Sequence, residues 1–218
     1  MCGRFSLVES KEDLEVYFKV KIPNNYKPRY NASPSQLLPV ILNDEPDTAQ
    51  MVRWGLLPSW IQKKRSDGLI NVRAETLREK STFKADVEKR RCLILADGFY
   101  EWQKTKDGKQ PYRIILKDKR PFAFAGIWEV NHFEDKEVKT FAIITTTPNS
   151  VLLPIHTRMP VLLAPGDERR WLEEPDLNLL NPFPSEKMMA YKVSTAVNRA
   201  VLDMKSLIRP MEELKSMS

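Results

Sequence analysis

Sixteen prolines, spread from Pro23 to Pro210 and set against only seven glycines, constrain this chain more than any other feature. Proline fixes φ and removes a backbone donor, so each one punctuates regular structure. Glycine is too scarce, and Pro too evenly scattered, for a flexible linker. The chain must therefore be built from many short elements joined by well-defined turns, and it shows no repeat or low-complexity segment.

The elements can be read in order. Residues 10–19 read as a helix capped by Ser10 with acids in its first turn, and 20–35 as a Pro/Asn-rich loop. Leu37–Leu42 and Gln50–Trp54 read as strands around an Asn43–Asp47 turn. Residues 69–73 form a short strand or an extended loop, and 75–90 have helical spacing. Arg91–Ala96 is a strand of buried character that breaks at Asp97-Gly98. Phe99–Lys104 and Pro111–Leu116 pair as a hairpin around Asp107-Gly108. Phe122–Val130, Thr140–Thr146, Val161–Leu163 and Met188–Val193 read as strands, and Pro165–Glu173 and Asn198–Leu202 as helices. The expectation is an α+β fold: one domain over residues 1–218, with a curved, barrel-like, mostly antiparallel sheet, peripheral helices and a peripheral tail from about residue 205.

Composition narrows the setting. Apolar residues make up 42% of 218, enough for a sizeable core. Glu9, Lys11, Glu12 and Asp13 come too early for a secretory apolar segment, and no apolar run approaches the ~20 residues that span a bilayer. With only Cys2 and Cys92, a reducing, cytoplasmic setting is expected. Two Cys with His132 and His156 at unrelated spacings make no zinc pattern, so neither metal nor cofactor is expected. The formal charge is +6. Residues 62–91 hold ten Lys/Arg against five Asp/Glu. Such a segment attracts phosphates by counterion release, or is a solvated helix face.

Cys2 follows Met1 directly. Removal of Met1 leaves a thiol and a free α-amine on one residue, titrating near 8.5 and near 7.7–8.0 respectively. Such a 1,2-aminothiol condenses with an aldehyde through nitrogen and then closes a five-membered ring through sulfur.

Three further segments carry candidate chemistry. In Asn71-Val-Arg-Ala-Glu75 an extended backbone puts Asn71, Arg73 and Glu75 on one face; the alternative is a helix start. Arg73 offers a planar fork for a phosphate. In Asp97-Gly-Phe-Tyr-Glu101-Trp102, aromatic neighbours would desolvate Glu101 and raise its pKa, which suits acid/base work; the alternative is an exposed edge-strand carboxylate. In Pro154-Ile-His156-Thr-Arg158-Met-Pro160, His156 is placed in a loop where it can move protons near pH 7, with Arg158 as a phosphate ligand. Trp60-Ile61 sits in a loop and can stack on a base or pack in the core.

Together these segments resemble the SOS-response-associated peptidase (SRAP) family, the abasic-site processing proteins. The matching pieces are Met1–Phe5, Tyr30–Pro34, Trp54–Pro58, Ile70–Thr76, Phe83-Lys84, Cys92–Trp102, Thr145–Asn149, Ile155–Pro160 and Val193–Asn198. The resemblance implies the SRAP fold and a protein that senses abasic sites in single-stranded DNA and crosslinks itself to them. It implies Cys2 as nucleophile, Glu101 as catalytic acid/base, Asn71 as anchor for the abasic sugar and His156 as a second acid/base. It also implies DNA contacts at Arg4, Arg73 and Arg158, and a shelf at Pro34 and Trp60. Two positions depart from relatives: Ile61 replaces an aromatic, and Ser81 an Arg for which Arg78 or Lys80 can compensate. The expected partner is single-stranded DNA bearing abasic sites, met by a monomer associated with the nucleoid when DNA-bound. The competing readings are a cysteine-type peptidase or autopeptidase and a non-catalytic single-stranded DNA-binding module.

Overall fold

The computed structural model describes residues 2–58, 68–79, 81–133 and 136–212. Strands dominate. β1 (Phe5–Leu7), α1 (Lys11–Phe18), β2 (Arg29–Ala32), β3 (Leu37–Leu42) and β4 (Ala49–Trp54) come first. Then follow β5 (Asn71–Arg73), α2 (Ala74–Glu79), α3 (Ser81–Lys89), β6 (Arg91–Ala96), β7 (Gly98–Thr105) and β8 (Gly108–Leu116). The chain continues with β9 (Phe122–Phe133), β10 (Lys136–Thr146), β11 (Met159–Pro160), α4 (Asp167–Glu173) and β12 (Met188–Lys192).

These strands form two sheets. β3, β4, β10, β9 and β6 pair in a ring and close a five-stranded barrel, parallel at β4–β10 and antiparallel elsewhere. β5 and β11 add to β10. The second sheet runs β12-β8-β7-β1-β2. Residues two apart on a strand share a face, so each barrel strand splits between two cores. Val52, Trp54, Ile94, Phe124 and Phe141 join Phe5, Phe99 and Ile114 of the second sheet in one cluster. Ile41, Leu93, Leu95, Ala142 and Ile144 face the helices through Leu14, Leu77, Val87 and Trp171. β6 is buried along its whole length, as its apolar run predicts.

Ser10 caps α1 as read from sequence, its Oγ accepting from the Asp13 amide at 3.1 Å. Elsewhere tertiary contacts override local pattern. The supposed loop 20–35 contains β2, because the Asp203 carboxylate accepts from the Asn31 amide at 3.1 Å and also from the Tyr30 amide. The helical stretch 75–90 is two helices, α2 and α3. The expected strand at 161–163 is one bridge, Phe124 to Leu162, with β11 just before it. The expected helix at 198–202 is instead a 3-10 turn over Thr195–Asn198. There the carbonyls of Val197, Arg199 and Leu202 accept from the Asn31 side chain at 3.2, 3.2 and 2.8 Å, rather than from a following helical turn.

Two buried arginines organise the packing. Arg91 donates to the carbonyls of Val87 and Glu88 at the end of α3, at 2.8 and 2.6 Å. It also donates to Trp171 and Leu172 at the end of α4, at 2.7 and 2.8 Å. One cation thus satisfies four helix-end acceptors and complements two helix dipoles. Arg113 donates to Asp97 at 2.7 Å, to Ser6 Oγ at 3.0 Å and to the Tyr191 hydroxyl at 2.8 Å. Gly98 has no side chain because a Cβ there would lie 2.7 Å from the Arg113 Nε.

Arg91→Met is expected to lower unfolding free energy by about 3 kcal/mol, since it strands buried carbonyls. A denaturant titration that leaves the midpoint unmoved would show that the cap is replaceable.

Candidate active site

The site forms where the N-terminus enters the second sheet. β1 lies between β2 and β7, with Phe5 opposite both Ala32 and Phe99. The Tyr100 amide donates to the Arg4 carbonyl at 3.0 Å. This places Cys2 at the end of β1, close to Glu101 on β7. Cys2 is buried, and its Sγ donates to the Arg4 carbonyl at 3.8 Å. Its own carbonyl accepts from Asn71 Nδ2 at 2.9 Å.

Asn71 is held from below. The Trp54 indole, stacked on Phe141 at 6.2 Å, donates to the Ile70 carbonyl at 2.9 Å. β5 also runs parallel to β10 with Asn71 opposite Ile143. Asn71 commits its amide N–H to Cys2, and its Oδ1 is buried without a partner among the described residues. That oxygen is an acceptor in need of a donor.

Glu101 is 1% exposed. Burial raises its carboxyl to about 7, so both protonation states are populated at neutral pH. Burial, then the charge of Glu101, push the Cys2 thiol far above its ordinary value. The thiol is held protonated. His156 Nε2 faces Glu101 Oε2 at 3.9 Å. His156 Nδ1 lies 3.0 Å from the Arg158 amide nitrogen and 3.2 Å from the Arg158 carbonyl oxygen, contacts that hold the ring with Nε2 toward Glu101. Burial lowers the His156 pKa and keeps the ring neutral at pH 7. With a neutral imidazole, the 3.9 Å contact is not an ion pair. Glu101 and His156 line a cleft of about 410 Å³ with Trp102, Lys104, Lys109 and Asn198. The Trp102 indole donates to Asn198 Oδ1 at 2.7 Å.

The arginines differ in availability. Arg4 donates to Asn31 Oδ1 at 2.9 Å and to the Val197 carbonyl at 2.8 Å, tying the 195–198 turn to the N-terminus. Arg158 makes a bidentate pair with Glu75 at 2.8 and 2.9 Å and donates to the Thr145 carbonyl at 2.7 Å. Arg73 is exposed and lies in the field of Glu75, whose pKa it helps to lower. The extended face expected for Asn71, Arg73 and Glu75 ends at Arg73. Ala74 starts α2, so Glu75 turns to Arg158 instead. Pro34 lies half-buried in the turn before β3. Trp60, Ile61 and Lys80 lie outside the described residues, and Arg78 and Ser81 are described in backbone only.

Sequence reading missed Glu75 as the partner of Arg158, and Asn198 as the partner of Trp102. These contacts join segments 83 and 96 residues apart, for which no local pattern exists. Among the described residues no cluster of three His, Cys, Asp or Glu could hold a metal ion. No helix among them is long and apolar enough to cross a membrane.

Comparison with known proteins points to one family. The family model for SOS response associated peptidase (SRAP) matches residues 1–200. The abasic site processing protein YoqW of Bacillus subtilis is 42% identical over 211 residues, covering 91% of this chain and 94% of that one. The abasic site processing protein YedK of Escherichia coli is 31% identical over 225 residues, covering 97% and 100%. A crystal structure from Bacteroides thetaiotaomicron matches with a TM-score of 0.86 at 27% identity, covering 96% of this chain and 99% of that one.

Two expectations follow. Because Glu101 has a raised folded pKa, its favourable contribution is complete below about pH 4.5 and is lost as pH rises through about 7. Glu101→Gln should therefore gain stability over the parent between pH 4 and pH 8, by up to about 3 kcal/mol; equal pH profiles of unfolding would refute the raised value. Glu75→Ala should loosen Arg158 and, through its amide, His156. The His156 ring resonances in NMR should then shift and broaden, and an unchanged spectrum would mean the loop is held without Glu75.

Proposed function

The chain belongs to the SRAP family, and on that premise we propose that it senses abasic sites in single-stranded DNA and captures them covalently through Cys2. The observation that carries this reading is the convergence on Cys2: its carbonyl is gripped by Asn71 and its thiol lies in the field of Glu101. Relatives named abasic site processing proteins, matched over nearly their whole length, support the same activity.

Each group then has a task. An abasic deoxyribose is mostly a closed hemiacetal. Glu101 as the acid promotes opening of the ring, releasing the C1′ aldehyde. Asn71 Oδ1, the unpartnered acceptor, takes a sugar hydroxyl. Once Met1 is removed, the Cys2 amine adds to C1′. Glu101 protonates the departing hydroxyl, water leaves and a Schiff base forms. Glu101, now a carboxylate, recovers a proton from the Cys2 thiol as sulfur bonds to C1′ and closes a thiazolidine. The nitrogen remains as a ring amine. Closure is intramolecular, where effective molarities reach about 10⁵–10⁸ M, so it outruns β-elimination of the strand. His156 relays protons beside Glu101, and the same pair can run the steps backward. Arg4, Arg73 and Arg158 contact the DNA backbone, and Pro34 with Trp60 forms the shelf for the strand. Of these arginines, Arg73 is the exposed one; a phosphate at Arg158 must share it with Glu75.

A thiolate peptidase needs a depressed thiol pKa, and burial drives Cys2 the other way.

The Met-free protein mixed with abasic single-stranded DNA should give a shift on denaturing gels. A shift confined to native gels would reduce the activity to binding. Cys2→Ser should lose the heat-stable adduct yet leave a Schiff base that borohydride traps. A heat-stable Ser adduct would sink the thiazolidine step.

A further inference from the structure

The β7–β8 hairpin places two lysines at the mouth of the catalytic cleft. Lys104 and Lys109 are direct cross-strand partners in the antiparallel register. Both are exposed, and both line the same cleft of about 410 Å³ as Glu101 and His156. Neither has an acidic partner among the described residues. Directly opposed like charges destabilise a β pair, and opposite residues sit only about 5 Å apart at Cβ. An unneutralised ammonium pair of this kind, fixed by strand register beside a reactive centre, suits an anion held between the two stems.

From this we infer that Lys104 and Lys109 form a phosphate seat that grips one phosphodiester next to the nucleotide held over Glu101 and His156. This rests on the reading of the protein as an abasic-site DNA binder. The Lys106-Asp107 turn sets the register: Thr105 pairs with Gly108, whose φ of 124° closes the two-residue loop. Every residue of the seat is thus carried by the strand that carries Glu101, or by its paired neighbour. Reacting carbon and neighbouring phosphate are measured off one rigid hairpin. Two flexible ammonium groups suit a phosphodiester, whose charge is spread over two oxygens and needs no planar fork. Lys104 also adjoins His156 and, after burial, helps keep that ring neutral.

The test begins with intact single-stranded DNA, so that it does not depend on crosslinking. For the Met-free protein, the plot of log affinity against log salt should flatten by about 0.7 in the Lys104→Gln/Lys109→Gln double variant, one phosphate contact on a single strand. The charge-matched control Lys27→Gln/Lys117→Gln should keep the parent slope. Methylphosphonate linkages are then walked through an abasic oligonucleotide. At one linkage beside the lesion, neutralising the phosphate should weaken the parent and have no further effect on the lysine double variant. An unchanged slope would overturn the seat. So would lysine and methylphosphonate losses that add at every linkage, which would mean diffuse attraction. If no covalent adduct forms with either protein, the crosslinking reading fails, while the salt slope and the linkage map still decide the seat.

Discussion

The buried Asp97–Arg113 pair is the interaction on which the site depends. Chain termini usually fray, yet here the first strand lies inside a five-stranded sheet, flanked on both edges. Asp97 accepts from Ser6 Oγ at 2.6 Å and Arg113 donates to the same hydroxyl. Asp97 sits at the bend between β6 and β7, Arg113 on β8, and both reach across to Ser6 of β1. A buried pair of this kind is weak as a source of net stability but costly to break. What it supplies is register, and register sets Cys2 close to Glu101.

The site also shows how function draws on stability. Glu101 is a carboxyl in a dry place, and Cys2 a thiol in a drier one. At neutral pH Glu101 is divided between its acid and carboxylate forms, while the Cys2 thiol stays protonated. A base with a pKa near 7 and a thiol that waits for it suit sequential proton transfer, in which one group hands a proton on and receives it back. Asn71 Oδ1, buried without a partner, belongs to the same class of built-in need.

Much of this was legible in the sequence, and the failures are instructive. The apolar runs of β3, β6, β9 and β10 identify barrel strands directly. Aromatics on either side of Glu101 predict its desolvation, and the structure buries it. β1 and β2 were missed because Ser6 and Asn31 are polar yet buried, satisfied by Asp97 and by carbonyls near residue 200. No local pattern records a partner that far away. The grouping proposed as catalytic was suggested only by family resemblance, because Cys2, Asn71, Glu101 and His156 come together through closure of the sheets rather than through spacing. In sequence the hairpin reads as turning around Asp107-Gly108, but its turn falls on Lys106-Asp107, and that one-residue shift is what sets Lys104 opposite Lys109.

The contact between Arg4 and the Val197 carbonyl spans 193 residues. Contacts of such sequence separation form late in folding, and a chain emerging from the ribosome N-terminus first cannot make this one until its last segments are out. Cys2 is among the first residues made, but Asn198, which lines the cleft with Glu101 and His156, comes far later in the chain. The cleft around Cys2 is therefore complete only once the segment near residue 198 has been made and has folded back onto the first strand.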